Sequence, residues 1–99
     1  LLSGVPAVFA LAPNRPNPFE RRTSIAFDVP ASGGRVVLEI FDLTGRRIRK
    51  LVDEQFAAGQ FAVTWDGVDE QGRRVAPSVY FYRMTAPAYQ ETRRLIVVR

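Results

Sequence analysis

The residues best suited to chemistry are carboxylates. Asp66, Asp69 and Glu70 lie together between Trp65 and Gly72, and Asp42 stands alone ahead of Thr44-Gly45. An oxygen-rich loop of the first kind could give calcium several of the roughly six to eight oxygens it takes. The spacing does not follow the Asp-x-Asp-x-Asp-Gly pattern, however, and Arg73-Arg74 follows directly, weakening the attraction for a cation. Two successive turns account for the same residues, so no metal is expected here. General acid-base work at Asp42 would need a second carboxylate within reach whose pKa is pushed away from its own, and the sequence offers none. The chain contains neither histidine nor cysteine. That removes the Ser-His-Asp and Cys-His arrangements, the thiolate metal sites and the histidine-containing zinc sites together. The expectation is a non-enzymatic chain with no catalytic residue, no cofactor and no small-molecule substrate.

The charge balance points the same way. A net charge of +4 rests on thirteen arginines and a single lysine, Lys50. A nucleic-acid partner would be bound by a clustered basic surface that releases counterions from phosphate. Here the basic residues form no single block; they occur as Arg21-Arg22, Arg46-Arg47-x-Arg49-Lys50, Arg73-Arg74 and Arg93-Arg94, with acidic residues interspersed. Charges so placed at turns and strand ends protect sheet edges from pairing with other chains, and no nucleic-acid partner is expected.

The elements that must carry these residues read as strands. At 99 residues the chain accommodates one domain with a modest core. Residues 1–10, apolar and small, with Gly4 and Pro6, read as a linker from an upstream domain, and 11–99 as the domain itself. No apolar run is long enough for a spanning helix. From Leu11 onward the apolar residues recur with period two: Ile25, Phe27 and Val29; Val36, Leu38 and Ile40; Phe61, Val63 and Trp65. Turn formers such as Ser32-Gly33-Gly34, Thr44-Gly45 and Ala58-Gly59 separate these runs. The pattern predicts strands near 7–12, 23–29, 35–43, 47–52, 60–65, 78–86 and 90–98, an all-β antiparallel sandwich of about seven strands. A helix competes over 46–58 alone, where Ile48, Leu51, Val52 and Phe56 have helix-compatible spacing; the bounding Gly45 and Gly59 favour a strand and loop.

The expected core contains Ile25, Phe27, Leu38, Ile40, Val63, Trp65, Tyr80 and Leu95. Pro16 and Pro18 stiffen a crossover that delivers Phe19 inward. In Asp42-Leu43-Thr44-Gly45-Arg46 the Asp42 carboxylate caps a hairpin turn, with Arg46 placed to pair across it. The first half of the strand at 78–86 and the final run Arg93–Arg99 are largely apolar on both faces. With Tyr80, Tyr82, Leu95 and Val97 inward, Val79, Phe81, Ile96 and Val98 point out beside Phe41, where a solvated sheet would carry polar residues. These four are the expected partner-binding residues.

Four islands in order, Asn14-Arg15-Pro16-Asn17-Pro18-Phe19, Phe41-Asp42-Leu43-Thr44-Gly45-Arg46, Trp65-Asp66-Gly67 and Tyr80-Phe81-Tyr82-Arg83, followed by a basic, aliphatic last strand, resemble a known family. It comprises the type A C-terminal sorting domains of bacterial proteins exported by the type IX secretion system and the related immunoglobulin-like domain of flagellar hook-capping proteins. The resemblance spans about positions 11 to 99; Ser78 stands where the family usually has Gly. It implies an immunoglobulin-like fold and a non-catalytic sorting and cell-surface attachment module of a secreted, extracytoplasmic protein. Its partner would be the secretion or attachment machinery, or an adjacent domain of the same protein. An alternative within the resemblance is an assembly domain of the hook-capping kind. A third reading, a carbohydrate-binding module, would need Phe81, Tyr89 and Phe56 to line one exposed face, which the period-two pattern does not provide.

Overall fold

The computed structural model describes residues 5–99, so that part of the expected linker, 1–4, lies outside the described residues. Seven strands follow one another: β1 (Ala10–Leu11), β2 (Thr23–Val29), β3 (Gly34–Phe41), β4 (Arg47–Phe56), β5 (Gly59–Trp65), β6 (Ser78–Ala86) and β7 (Tyr89–Val97). They form two antiparallel sheets, one ordered β1-β2-β5 and the other β4-β3-β6-β7. The period-two pattern decides which face each side chain takes. Thr23, Ile25, Phe27 and Val29 of β2 face Val36, Leu38 and Ile40 of β3, Tyr80, Tyr82 and Met84 of β6 and Leu95 and Val97 of β7 across one buried core.

Trp65 joins the two sheets. It is fully buried, donates its indole N–H to the Val68 carbonyl at 2.9 Å, and meets Phe19 and Tyr80 edge-on at centroid distances of 5.6 and 6.0 Å. The indole thus loses its surface to the core while its polar atom keeps a partner. Of the expected core residues, Val63 alone is only partly buried, though it faces inward and packs against the core.

Strand β4 runs to Phe56, not to position 52, and the helical spacing of its apolar residues has a β explanation. Leu38 pairs with Val52 and Glu39 with Lys50, leaving Leu51 extra; Ile40 pairs with Arg49 and Phe41 with Arg47, leaving Ile48 extra. These two bulges shift the inward register, so Ile48, Leu51 and Val52 all reach the core where strict alternation would have turned some of them out. Phe56 belongs to the sheet because its ring packs against Phe27 and Phe61, at 5.2 and 4.8 Å.

Loops close part of both edges of the larger sheet. Beyond β1, the Asn14–Phe19 segment lies along the end of β7: Phe19 N–H donates to the Ile96 carbonyl, Val98 N–H to the Phe19 carbonyl, and Ile96 N–H to the Asn17 side-chain carbonyl, all at 2.9–3.0 Å. Asn14, itself buried, donates to Thr23 Oγ1 at 3.0 Å, and Thr23 Oγ1 donates to the Pro16 carbonyl at 2.9 Å, which fixes the crossover that sends Phe19 inward. On the far edge, Glu70 accepts from Lys50 N–H at 2.8 Å and its own N–H donates to the Ile48 carbonyl at 3.0 Å. Strand edges covered in this way present fewer unpaired groups to other chains.

Candidate functional site

The expected partner residues come together on the outer face of the β4-β3-β6-β7 sheet. Val79 and Ile96 are direct cross-strand partners, and Phe81, two positions along β6, opposes Phe41 of β3 and Arg94 of β7. All four side chains are partly buried, which on an outer face means that they cover one another. Val98 stands just past the end of β7, where its N–H is held by Phe19. Beside Phe41 and Phe81, Leu43 is 64% exposed in the β3–β4 turn and completes a shallow groove of about 220 Å³, whose lining also takes in Asp42, Arg83 and Thr92.

A charged rim flanks these side chains. The Arg83 guanidinium lies 4.5 Å from the centre of the Phe41 ring, a cation-π contact. Glu39 bridges Arg83 and Arg47, at 3.5 and 3.3 Å. Sequence reasoning placed Phe41, Glu39 and Arg83 on the outward faces of their strands but did not foresee the bridge from Arg83 through Glu39 to Arg47. Period two alone puts Glu39 and Arg83 outward; what the sequence lacks is a sign that β3 and β6 are neighbours, since β4 and β5 intervene in the chain.

The acidic residues are not brought together. Asp69 Oδ1 accepts from the N–H groups of Gln71 and Arg73, at 2.9 and 3.0 Å, Glu70 is spent on Lys50 N–H, and Asp66 faces Arg49 at 3.6 Å. Each carboxylate serves a turn, an edge or an ion pair of its own, and among the described residues no three His, Cys, Asp or Glu side chains converge. The Arg73 N–H, with that of Gln71, holds the Asp69 carboxyl below its ordinary 3.8. Asp42 caps its turn in the same manner: Oδ1 accepts from Thr44 Oγ1 at 2.6 Å, Thr44 N–H at 2.9 Å and Arg46 N–H at 3.1 Å, with the Arg46 guanidinium 3.6 Å away. The Thr44 hydroxyl is the main cause of its lowered pKa. Gly45, at φ 86°, supplies the left-handed residue that this turn requires.

The aromatic side chains form no platform. Phe56 packs into the Phe27–Phe61 cluster, and Tyr89 stacks against Phe9 and donates to Glu91 at 2.6 Å. Burial, then that carboxylate, pushes the Tyr89 hydroxyl up to about 12. Phe81 stands on the other sheet surface with Phe41. Ser78, where a Gly would be usual in the resembling family, sits in β6 without positive φ; Ala88, in the β6–β7 turn, is the one non-glycine residue with positive φ among those described, at 56°.

The fold and this face define an immunoglobulin-like β-sandwich with an apolar patch on one outer surface. The chain belongs to the family of the FlgD Ig-like domain, whose sequence model matches residues 15–89. Among solved structures it is similar to latent dimeric PorU of Porphyromonas gingivalis, with 25% identity and a TM-score of 0.74 over 93% of this chain and 10% of PorU. It is also similar to FlgD of Xanthomonas campestris, described for its hook-capping role in flagellar assembly, with 26% identity and a TM-score of 0.60 over 91% of this chain and 67% of FlgD. PorZ, a bacterial surface component of the type IX secretion system of P. gingivalis, shares the fold at 23% identity and a TM-score of 0.59, over 92% of this chain and 11% of PorZ. The chain therefore spans about a tenth of PorU and of PorZ. No curated protein matches it in sequence.

Proposed function

We propose that this chain is a non-catalytic sorting and cell-surface attachment module, which a secreted bacterial protein presents to its export or attachment machinery. The observation that carries the reading is the apolar outer face formed by Val79, Phe81 and Ile96 with Phe41, and continued by Val98. A solvated antiparallel sheet has no need of such a face, and it fits a partner that covers it. The four sequence islands and the likeness to PorU and PorZ support a type IX context and an extracytoplasmic location. Docking on this face needs shape and apolar area only, so no reactive group and no cofactor enters the mechanism.

The family match and the likeness to FlgD favour a second reading, an assembly domain that makes protein contacts without an export role. A fusion separates the two. The chain is joined to the end of an exported reporter in a bacterium that has the type IX apparatus and in a strain that lacks it. A sorting module delivers the reporter to the cell surface in the first strain and leaves it in the periplasm in the second. Periplasmic retention in both strains overturns the sorting reading and leaves the assembly one.

A further inference from the structure

Two arginine-rich clefts lie on this molecule, and they differ in one respect. In the cleft beside the β3–β4 turn every arginine has a carboxylate: Arg46 faces Asp42, Arg47 faces Glu39 and Arg73 faces Asp69, at 3.6, 3.3 and 3.9 Å. The second cleft, of about 720 Å³, opens at the end of the sandwich where β5 runs out, and Arg21, Arg22, Arg74 and Arg99 line it. Among the described residues none of these four guanidinium groups makes an ion pair. Two carboxylates share the lining, Glu20 and Asp66, and Asp66 is turned to Arg49 at 3.6 Å. Arg74 is anchored, donating to the Glu20 carbonyl at 2.6 Å, which ties the segment before β2 to the loop after β5 and fixes one wall of the cleft.

We propose that this cleft binds a multiply charged oxyanion of the phosphate class. Four guanidinium groups set against the two carboxylates of Glu20 and Asp66 leave the lining net positive, and a dianion seated among the arginines relieves their mutual repulsion while adding attraction. Guanidinium forks match tetrahedral oxyanions through paired N–H donors, which a lysine ammonium does not do. The arginine usage of this chain, with Lys50 its one lysine, suits such a site. The cleft lies at the end of the domain and involves none of Val79, Phe81, Ile96 and Val98, so the inference stands apart from the protein-docking reading.

The probe is pyrophosphate, titrated into isotope-labelled protein at low ionic strength while the arginine Nε–H signals are followed. The expected result is saturable shifts at Arg21, Arg22, Arg74 and Arg99, weakened by added salt. The double variant R21Q/R22Q, which removes side chains with no hydrogen bond or ion pair in the structure, should raise the Kd by about tenfold or more while leaving the melting temperature in place. The paired change R46Q/R73Q at the other cleft should leave the Kd unaltered. Equal shifts in both clefts, an unchanged Kd in R21Q/R22Q, or no saturation overturns the proposal. Vesicles of phosphatidylglycerol, set against phosphatidylcholine, identify the source of the phosphate. Retention on the anionic vesicles that R21Q/R22Q abolishes assigns a lipid headgroup, and pyrophosphate binding without retention assigns a soluble phosphate ester.

Discussion

The two outer faces of this sandwich obey one rule and reach different compositions. On the β1-β2-β5 sheet the outward positions are Ser24, Ala26, Gln60, Ala62 and Thr64, small or polar and all exposed. On the β4-β3-β6-β7 sheet the outward positions include Val37, Phe41, Val79, Phe81 and Ile96, large, apolar and half-buried, set among polar neighbours such as Arg35, Glu39, Arg83, Thr85, Thr92 and Arg94. Period-two alternation places both sets. The inner faces share a single core, so core packing does not account for the contrast between the outer ones. One sheet turns its back to water; the other keeps apolar area, with Arg83 laid over Phe41 and Glu39 holding the rim together. On the proposed function, that apolar area is what a partner covers.

The comparison breaks most severely in the core that the two faces share. Replacing Trp65 by Ala removes the ring that joins both sheets through Phe19 and Tyr80, and should cost about 3–5 kcal/mol. Chemical denaturation measures it, and a loss below about 1 kcal/mol would mean that the sheets are held together elsewhere. Asn14→Ala should cost about 2 kcal/mol, because it leaves a buried polar crossover without the donor that reaches Thr23 and Pro16. Hydrogen exchange at Ile96 and Val98, whose amides depend on that crossover, should rise in the same variant.

Smaller effects sharpen the contrast between the outer faces. The double change Phe81→Ser and Ile96→Ser should cost only about 1 kcal/mol per site, since both side chains are half-buried on the outer face and the inward set stays in place. Acid should act least, and locally. Asp42 and Asp69 have folded-state pKa values below 3.8, so the stability they add is fully present above that value and is lost as pH falls through the lowered folded values. Carboxyl carbon titration should find both midpoints below 3.8, and Asp42→Asn should flatten the acid limb of the stability curve.

What the sequence made legible was local. Alternation and turn residues located β2, β3, β5, β6 and β7 closely, the Asp42 turn was readable from its own side chains, and Phe19 was correctly sent inward by its prolines. Alternation failed at β4, where two bulges insert Leu51 and Ile48 and imitate a helical period. At Val63 alternation gave the inward direction, and only the extent of burial fell short. At the candidate face the outward direction of Val79, Phe81 and Ile96 was legible, because it follows from their own strands. The bridge from Arg83 through Glu39 to Arg47, and the seating of Asn17 and Phe19 on the edge of β7, join segments far apart in the chain, and no local pattern encodes such pairings.

The central claim is that one outer face is read by a partner and the other is not, and paired variants in the reporter fusion test it most directly. F81S/I96S alters the apolar face, and A26S/A62S makes a matched change on the exposed face of the other sheet, with thermal melts recorded for both. The account predicts that A26S/A62S is delivered to the cell surface like the unaltered chain, whereas F81S/I96S, still folded, is retained. Equal delivery of two folded variants would contradict it, and unfolding of F81S/I96S would show that Phe81 and Ile96 belong to the core.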